Sequence, residues 1–139
     1  GRVNLIGEHT DYNGGYVFPC TLNFGTTLLI KENKTNKFRF MTTNFDQRGE
    51  ISIISPFEKT GNEWYYYPLG VADQFVKANK RFVGLDFLFS GDIPNGAGLS
   101  SSASIEMVTA FALNEIFSFG IEMISLIKLS QELKIYLLE

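Results

Sequence analysis

The chain places a glycine- and serine-rich segment directly between a predicted strand and a predicted helix, and this order constrains its fold more than any other feature. Apolar side chains recur at every second position over residues 83–89, which predicts a half-buried strand. Residues 91–102 follow and are rich in Gly and Ser, and apolar side chains then recur at helical spacing over residues 105–116. The chain must therefore leave a sheet through a tight turn and begin a helix whose first backbone N–H groups have no partner inside the helix.

The remaining pattern predicts strands mainly in the first part of the chain and helices in the later part. The β-branched, aromatic-rich or alternating stretches that predict strands are residues 3–6, 16–18, 25–31, 38–42 and 51–54. Of these, residues 38–42 and 51–54 are expected to pair as an antiparallel hairpin or meander. Helical spacing predicts helices over residues 67–80 and 121–138. The predicted fold class is therefore α+β.

Composition narrows the class of protein. The 139 residues suit one domain, and 45% hydrophobic and 14% aromatic residues are ample for a core. A net charge of −3 argues against a nucleic-acid-binding surface, and the longest apolar runs are shorter than the roughly 18–20 residues that span a bilayer. Cys20 and His9 are the only cysteine and histidine, which excludes an internal disulfide, a cysteine-rich metal cluster and a two-histidine mechanism. We expect a cytoplasmic protein without nucleic-acid or membrane partners.

Each end of the chain lies within a sequence motif or a helical pattern rather than beyond it. Gly1 stands inside a motif-rich stretch without an initiator Met, and Glu139 stands inside a helical pattern that shows no stop signal. We therefore expect residues 1–139 to be a fragment of one domain, truncated at both ends and part of a longer protein.

Residues 94–104 read PNGAGLSSSAS and have the chemistry of a phosphate site. Glycines permit close backbone approach, and the free N–H groups and positive dipole end of a helix attract anions. Serine hydroxyls can donate to phosphate or bind Mg²⁺. The segment lacks the Gly-Lys-Ser/Thr of a P-loop and the third glycine of a dinucleotide-binding loop. The alternative is a flexible turn with a serine N-cap, but three consecutive serines at a helix start favour the phosphate site.

A second polar cluster lies near the N-terminus, beside an Asn-Gly-Gly turn, and contains Arg2, Glu8, His9 and Asp11. Carboxylates accept hydrogen bonds from neighbouring sugar hydroxyls, and a permanently charged guanidinium stabilises a transferring phosphoryl group. Several alternatives stay open: solvated turn carboxylates, a packing histidine, an arginine in a salt bridge, or a Glu-His-x-Asp metal site.

Together the two motifs resemble those of a known kinase family. Residues 1–15, GRVNLIGEHTDYNGG, are similar to the N-terminal signature of galactokinases. Residues 94–104 are similar to the phosphate-binding motif of the GHMP superfamily, the kinases of galactose, homoserine, mevalonate and phosphomevalonate. The resemblance implies the N-terminal domain of the GHMP-type kinase fold, which is like domain 2 of ribosomal protein S5. That fold is a mixed, mostly antiparallel sheet packed with helices.

The resemblance also implies roles for individual residues. Arg2 would stabilise the transition state beside the sugar C1 hydroxyl, and Ser102 would help to bind Mg²⁺. The residues implied in galactose binding are Glu8, His9, Thr10 and Asp11. Those implied in ATP binding are Thr42, Trp64, Tyr67, Gly96, Ala97, Gly98, Leu99, Ser100, Ser101 and Ser102. The aromatic residues at 64–67 are equally plausible as core.

The implied reaction is transfer of a phosphoryl group from ATP, with Mg²⁺, to the C1 hydroxyl of galactose, which gives galactose 1-phosphate and ADP. The alternatives are a kinase for a related sugar such as N-acetylgalactosamine, a sensor that binds galactose and ATP without catalysis, and an inactive gene fragment. The family's catalytic Asp lies in a later motif, and Lys134 stands where the family has a Mg²⁺-binding Glu. We therefore expect no activity from the 139 residues alone. The parent enzyme is expected to be monomeric.

Overall fold

The computed structural model describes residues 1–7, 9–10, 13–54, 57, 61–93 and 101–137. In these ranges the strands are β1 (Arg2–Ile6), β2 (Phe18–Thr21), β3 (Thr26–Glu32), β4 (Lys37–Thr42), β5 (Gly49–Ser52) and β6 (Leu85–Gly91). The helices are α1 (Tyr66–Lys77), α2 (Ser101–Ile116) and α3 (Met123–Leu137). The α+β prediction is therefore confirmed. Across the described part of the chain, no helix combines the length and apolar character needed to cross a membrane.

The main sheet has four strands in the order β3-β6-β4-β5. Strand β6 pairs antiparallel with β3 and parallel with β4, where Phe38 lies opposite Leu85 and Thr42 opposite Phe89. Strand β5 runs antiparallel to β4, as predicted, and Ile51 lies opposite Phe38. Strands β1 and β2 form a separate antiparallel hairpin. The parallel pair places the carboxyl ends of β4 and β6 at the same edge of the main sheet.

The helices cover one face of the main sheet. Phe40 from β4, Phe87 from β6, Phe75 from α1, Leu113 from α2 and Leu126 from α3 are each at most 1% exposed and belong to one cluster. Burial of a large apolar side chain contributes about 1.5–3 kcal/mol relative to its exposure. This shared core therefore holds the three helices on the sheet.

Phe38 lies at the centre of an aromatic cluster in this core. Its ring lies 5.4 Å from that of Phe87 and 5.6 Å from that of Phe82, both edge to face, and 6.0 Å from that of Phe57. Such pairs contribute about 0.5–1.5 kcal/mol beyond the area that they bury. Much of the aromatic content of the chain is therefore used in packing.

Helix α1 begins and ends at local signals. Pro68 lies in its first turn, where a missing N–H costs no helical hydrogen bond. At the other end Asn79 has a φ of 60°, its N–H donates to the Val76 carbonyl, and the Lys80 N–H donates to the Phe75 carbonyl, both at 2.9 Å. This is a Schellman ending, which stops the helix before residue 80, where the sequence pattern had placed its end.

Three predicted strands are shifted in the structure. Strand β5 covers Gly49–Ser52 rather than residues 51–54, because Gly49 pairs with Phe40 instead of belonging to the link between the two strands. Strand β2 covers Phe18–Thr21 rather than residues 16–18, because the Tyr16 carbonyl accepts a hydrogen bond from the Thr10 hydroxyl and Tyr16 remains part of the preceding loop. Strand β6 begins at Leu85, and Val83, which is 42% exposed, lies before it. All three shifts concern strand ends, where side-chain alternation carries little information about pairing.

Candidate functional site

A cavity of about 240 Å³ opens at the edge of the main sheet where β4 and β6 end. The ends of three strands and the starts of α1 and α2 surround it. Its lining residues are Thr26, Thr42, Asn44, Phe45, Trp64, Tyr67, Phe89, Gly91, Ile93, Ser101, Ser102 and Ile105. Crevices at the carboxyl ends of parallel strands are common ligand sites, and this cavity has the expected mixture of apolar walls and a few polar groups.

The cavity brings together all the described residues that the family resemblance implied in ATP binding. These are Thr42, Trp64, Tyr67, Ser101 and Ser102. The other implied residues, Gly96, Ala97, Gly98, Leu99 and Ser100, lie outside the described residues. The structure thus places a strand end, an aromatic pair and a helix start around one space. The roles of these residues remain predictions.

Trp64 forms an aromatic wall of the cavity. Its ring lies 5.5 Å from that of Phe89 and 5.8 Å from that of Phe45, both edge to face, and its indole N–H donates to a backbone carbonyl at 3.2 Å. Tyr67 also lines the cavity and is 37% exposed, whereas its neighbour Tyr66 is 6% exposed. The alternative that the aromatic residues at 64–67 are core therefore holds for Tyr66. Trp64 and Tyr65 are partly buried and pack against the core, whereas Tyr67 is partly exposed. A flat apolar wall of this kind suits a purine base.

Asn44 is a polar residue of the cavity that the sequence did not reveal. Its Nδ2 donates to the Gly91 carbonyl at 2.7 Å, and its Oδ1 accepts from the Gly91 N–H at 3.0 Å. The Thr42 hydroxyl donates to the same Oδ1 and accepts from the Asn44 N–H, both at 3.2 Å. The only local sequence signal for Asn44 is the Thr-Thr-Asn run after a strand. That run does not reveal that Asn44 bonds to Gly91, 47 positions away.

The start of α2 gives the cavity a side that attracts anions. Ser101 is the first residue of the helix and Ser102 the second, and both line the cavity. The first N–H groups of a helix have no intrahelical partner, and the first turn of α2 contains no acidic residue to offset its positive end. A phosphate group would therefore bind favourably here.

Ser102 also fits the Mg²⁺ role that the resemblance implied. Mg²⁺ takes oxygen ligands, and in nucleotide sites it uses one or two protein oxygens together with the phosphates. The Ser102 hydroxyl offers such an oxygen at the cavity. In the described ranges, no three His, Cys, Asp or Glu side chains are grouped so as to hold a metal ion.

The predicted catalytic residue Arg2 belongs to β1, and the residues predicted to bind galactose follow β1 in the chain. Arg2 begins β1, while His9 and Thr10 lie in the loop between β1 and β2. Glu8 and Asp11 lie outside the described residues. None of Arg2, His9 and Thr10 lines the cavity, so these described residues lie apart from those predicted to bind ATP.

Thr10 organises this loop through its backbone and its side chain. Its carbonyl accepts from the Asn13 N–H at 3.1 Å and the Gly15 N–H at 2.8 Å, and its hydroxyl lies 2.9 Å from the Tyr16 carbonyl. Gly7 has a φ of 105°, and an added Cβ would lie 2.7 Å from the Tyr16 carbonyl oxygen, so only glycine fits there. The Thr10 hydroxyl is thus directed at backbone carbonyls of Gly7 and Tyr16.

Residues 66–137, just over half of the chain, match the family described as GHMP kinases N terminal domain. The chain belongs to the GHMP kinase family. Residues 1–32 match the galactokinase galactose-binding signature. Among GHMP kinases, the chain therefore has the N-terminal features of galactokinases, and the family resemblance is confirmed.

Galactokinases of two bacteria are similar to most of the chain. The galactokinase of Fusobacterium nucleatum is 46% identical over 134 residues, which is 94% of this chain and 34% of that protein. The galactokinase of Clostridium tetani is 47% identical over 133 residues, which is 95% of this chain and 34% of that protein. The chain thus spans about a third of the length of the curated relatives that it matches.

Two solved structures share the fold of this GHMP kinase domain. The crystal structure of Lactococcus lactis galactokinase complexed with galactose has a TM-score of 0.88 and 36% identity over 96% of this chain and 35% of that chain. Methanococcus jannaschii mevalonate kinase has a TM-score of 0.84 and 20% identity over 96% of this chain and 43% of that chain. The second likeness concerns the fold alone. Together they confirm the predicted N-terminal domain of the GHMP-type kinase fold.

Proposed function

We propose that the protein containing this chain transfers a phosphoryl group from ATP to the C1 hydroxyl of galactose, giving galactose 1-phosphate and ADP. The observation that carries the proposal is a galactokinase galactose-binding signature in a GHMP kinase domain whose cavity is lined by the residues predicted to bind ATP. The galactokinases that resemble the chain are about three times as long. The activity is therefore proposed for the full-length protein.

The cavity is proposed to bind ATP. Trp64 and Tyr67 offer apolar faces to the base, and the start of α2 with Ser101 offers donors to the phosphates. The Thr42 hydroxyl, whose proton is donated to Asn44, retains a lone pair that can accept a hydrogen bond from the ligand. Mg²⁺, held in part by Ser102, would neutralise phosphate charge. Phosphoryl transfer depends on positioning and electrostatic stabilisation more than on covalent chemistry, and these groups supply both.

The N-terminal loop is proposed to bind galactose. The carboxylates of Glu8 and Asp11 would accept hydrogen bonds from sugar hydroxyls, and His9 would add another polar contact. Arg2 would stabilise negative charge that develops near C1. Thr10 would contribute by keeping the loop closed, because its hydroxyl is directed at backbone carbonyls.

The proposal includes small molecules as the only substrates, a monomeric full-length protein and a cytoplasmic location. It is tested by measuring ADP release from Mg·ATP by the full-length protein, with galactose and N-acetylgalactosamine in parallel. We expect turnover with galactose on the order of 10 s⁻¹. Preference for N-acetylgalactosamine would correct the sugar, and galactose binding without ADP release would indicate a sensor.

Asp11→Ala should raise the KM for galactose about tenfold or more and leave the KM for ATP within about twofold. Hydrogen bonds to a charged acceptor contribute about 1.5–3 kcal/mol, and these would be lost only on the sugar side. Asp46→Ala, at an exposed aspartate beyond β4, is the control. Equal increases in the two KM values would contradict the assignment of this loop to galactose.

Ser102→Ala should reduce turnover, most strongly at limiting Mg²⁺, and leave the dissociation constant of galactose nearly unchanged. The reason is that its hydroxyl is proposed to hold the metal and orient the phosphates. Ser125→Ala is the matched control, because Ser125 lies in the first turn of α3 and does not line the cavity. Unchanged turnover at limiting Mg²⁺ would rule out this role.

A further inference from the structure

Two exposed side chains hold the carboxyl end of β6 from opposite sides, just before the predicted phosphate-binding segment. On the β4 side, the Asn44 amide forms two hydrogen bonds with the backbone of Gly91. On the β3 side, the Asp92 Oδ1 accepts from the Gly25 N–H at 2.7 Å, and the Asp92 N–H donates to the Gly25 carbonyl at 3.2 Å. The end of β6 is thus fixed to both neighbouring strands by side chains, in addition to the sheet hydrogen bonds.

The contact of Asn44 requires an amide. Gly91 presents one N–H donor and one carbonyl acceptor, and a single orientation of the amide satisfies both of them. Thr43 extends the same connection, because its N–H donates to the Phe89 carbonyl at 3.0 Å and its hydroxyl donates to the Ser90 hydroxyl at 2.9 Å. Strands β4 and β6 therefore stay joined past their last paired residues, beside the cavity.

A third side chain makes an equivalent contact for a purely structural reason. Asn114 forms the same pair of hydrogen bonds with the backbone of Ile121, at 3.1 and 2.9 Å, where the chain passes from α2 to α3. Asn114 is 6% exposed, and a buried amide must be hydrogen-bonded. Asn44 and Asp92 are exposed, so burial does not explain why both converge on one strand end.

The backbone held by Asn44 and Asp92 lies beside residues that line the cavity. Gly91 and Ile93 line one side of it and Ser101 lines another, and residues 94–100 connect the two sides along the chain. Groups that position a substrate must be placed accurately, since a displacement of about 1 Å can reduce a rate about a hundredfold. Where β6 ends therefore determines where the predicted phosphate-binding segment starts.

We propose that Asn44 and Asp92 are positioning residues for nucleotide binding, which act by fixing the backbone of Gly91 and Asp92 just before the predicted phosphate-binding segment. This inference rests on the proposed function. The Oδ1 and one N–H of the Asn44 amide are engaged with Gly91. Asp92 does not line the cavity, so it can act only through the backbone that it holds.

The test is calorimetric titration of the full-length protein with a non-hydrolysable ATP analogue and Mg²⁺, and separately with galactose. Asn44→Ala and Asp92→Ala should each weaken binding of the analogue about three- to tenfold, the effect of a lost hydrogen bond. Galactose binding should change less than about twofold. Asp92→Asn keeps an Oδ1 acceptor for Gly25 and should bind the analogue like the wild type. Asn44→Asp cannot donate to the Gly91 carbonyl and should bind it weakly.

Asn114→Ala is the matched control for a structural amide contact. It should lower the melting temperature more than the other variants and leave the affinity for the analogue unchanged at a temperature where all variants are folded. The inference is overturned if Asn44→Ala or Asp92→Ala binds the analogue like the wild type, or if Asn114→Ala weakens binding equally. Failure of the wild-type protein to bind the analogue would instead overturn the proposed function.

Discussion

Replacement of Gly49 by alanine should disturb the packing behind the aromatic wall of the cavity. Gly49 is buried in β5 opposite Phe40, and an added Cβ would lie 2.6–2.8 Å from three ring atoms of Tyr65. The Tyr65 ring stacks on Phe40 with the centroids 6.0 Å apart, and it lies 6.2 Å from the ring of Trp64. These neighbours leave the ring little room to retreat, so its displacement would be passed to Trp64 and the cavity.

The size of the effect follows from the distances. Carbon atoms in contact lie about 3.5–4.0 Å apart, so the Tyr65 ring must move by about 1 Å. Overpacking of this kind costs about 1–3 kcal/mol, and the reduced freedom of alanine in the unfolded chain offsets about 0.5–1 kcal/mol of it. We expect a net loss of about 1–2 kcal/mol in the free energy of unfolding. In a domain of this size that lowers the Tm by roughly 3–8 °C.

Thermal and urea unfolding followed by circular dichroism measure this loss. Gly25→Ala is the matched control, because a Cβ there meets nothing within 4 Å and should be neutral or slightly stabilising. Tyr65→Ala completes a double-mutant cycle, since Gly49→Ala should cost little once the ring is absent. Wild-type stability of Gly49→Ala, or an undiminished loss in the Tyr65→Ala background, would refute the steric reasoning.

Two further substitutions test the stability of the main sheet. Gly84→Ala should lower the urea midpoint, with a loss of about 1–3 kcal/mol, because a Cβ there would overlap the Thr35 carbonyl oxygen, a backbone atom that cannot easily move. Hydrogen bonds from Lys37 and Arg39 hold the pKa of the Glu50 carboxyl below its ordinary value. The stability that this gives is present above the unfolded-state pKa and is lost as pH falls through the lower folded-state pKa, so Glu50→Gln should flatten the acid-side fall in Tm.

Side-chain periodicity located most of the strands and helices, because each pattern reports the burial of one face. The hairpin of β4 and β5 was predicted since only a short polar link separates its strands. The parallel pairing of β4 with β6 was not predicted. Strand β5 and helix α1 lie between them in the chain, and no local pattern reports that Phe38 lies opposite Leu85.

Residues of the candidate site likewise differ in whether a local sequence pattern could identify them. A glycine- and serine-rich turn that opens a helix is a local signal, and it located Ser101 and Ser102 at the cavity. The sequence could not separate Tyr67 from the core, because an aromatic side chain suits a buried position as well as a cavity wall. Asn44 was missed because its contact depends on Gly91, which β5 and α1 separate from it along the chain.

The parallel pairing of β4 and β6 is what makes the cavity possible. In an antiparallel pair, Thr42 and Gly91 would lie at opposite edges of the sheet, whereas here Thr42 lies opposite Phe89, next to the end of β6. Because β6 runs parallel to β4, it starts at the edge of the sheet opposite to the cavity. Helix α1 leads to that edge, so it begins at the other edge, where β4 ends. This places Trp64 and Tyr67 at the cavity, and α2, which follows β6, begins there too. The proposed base and phosphate sites therefore both follow from one crossover in the topology, which a local motif cannot specify.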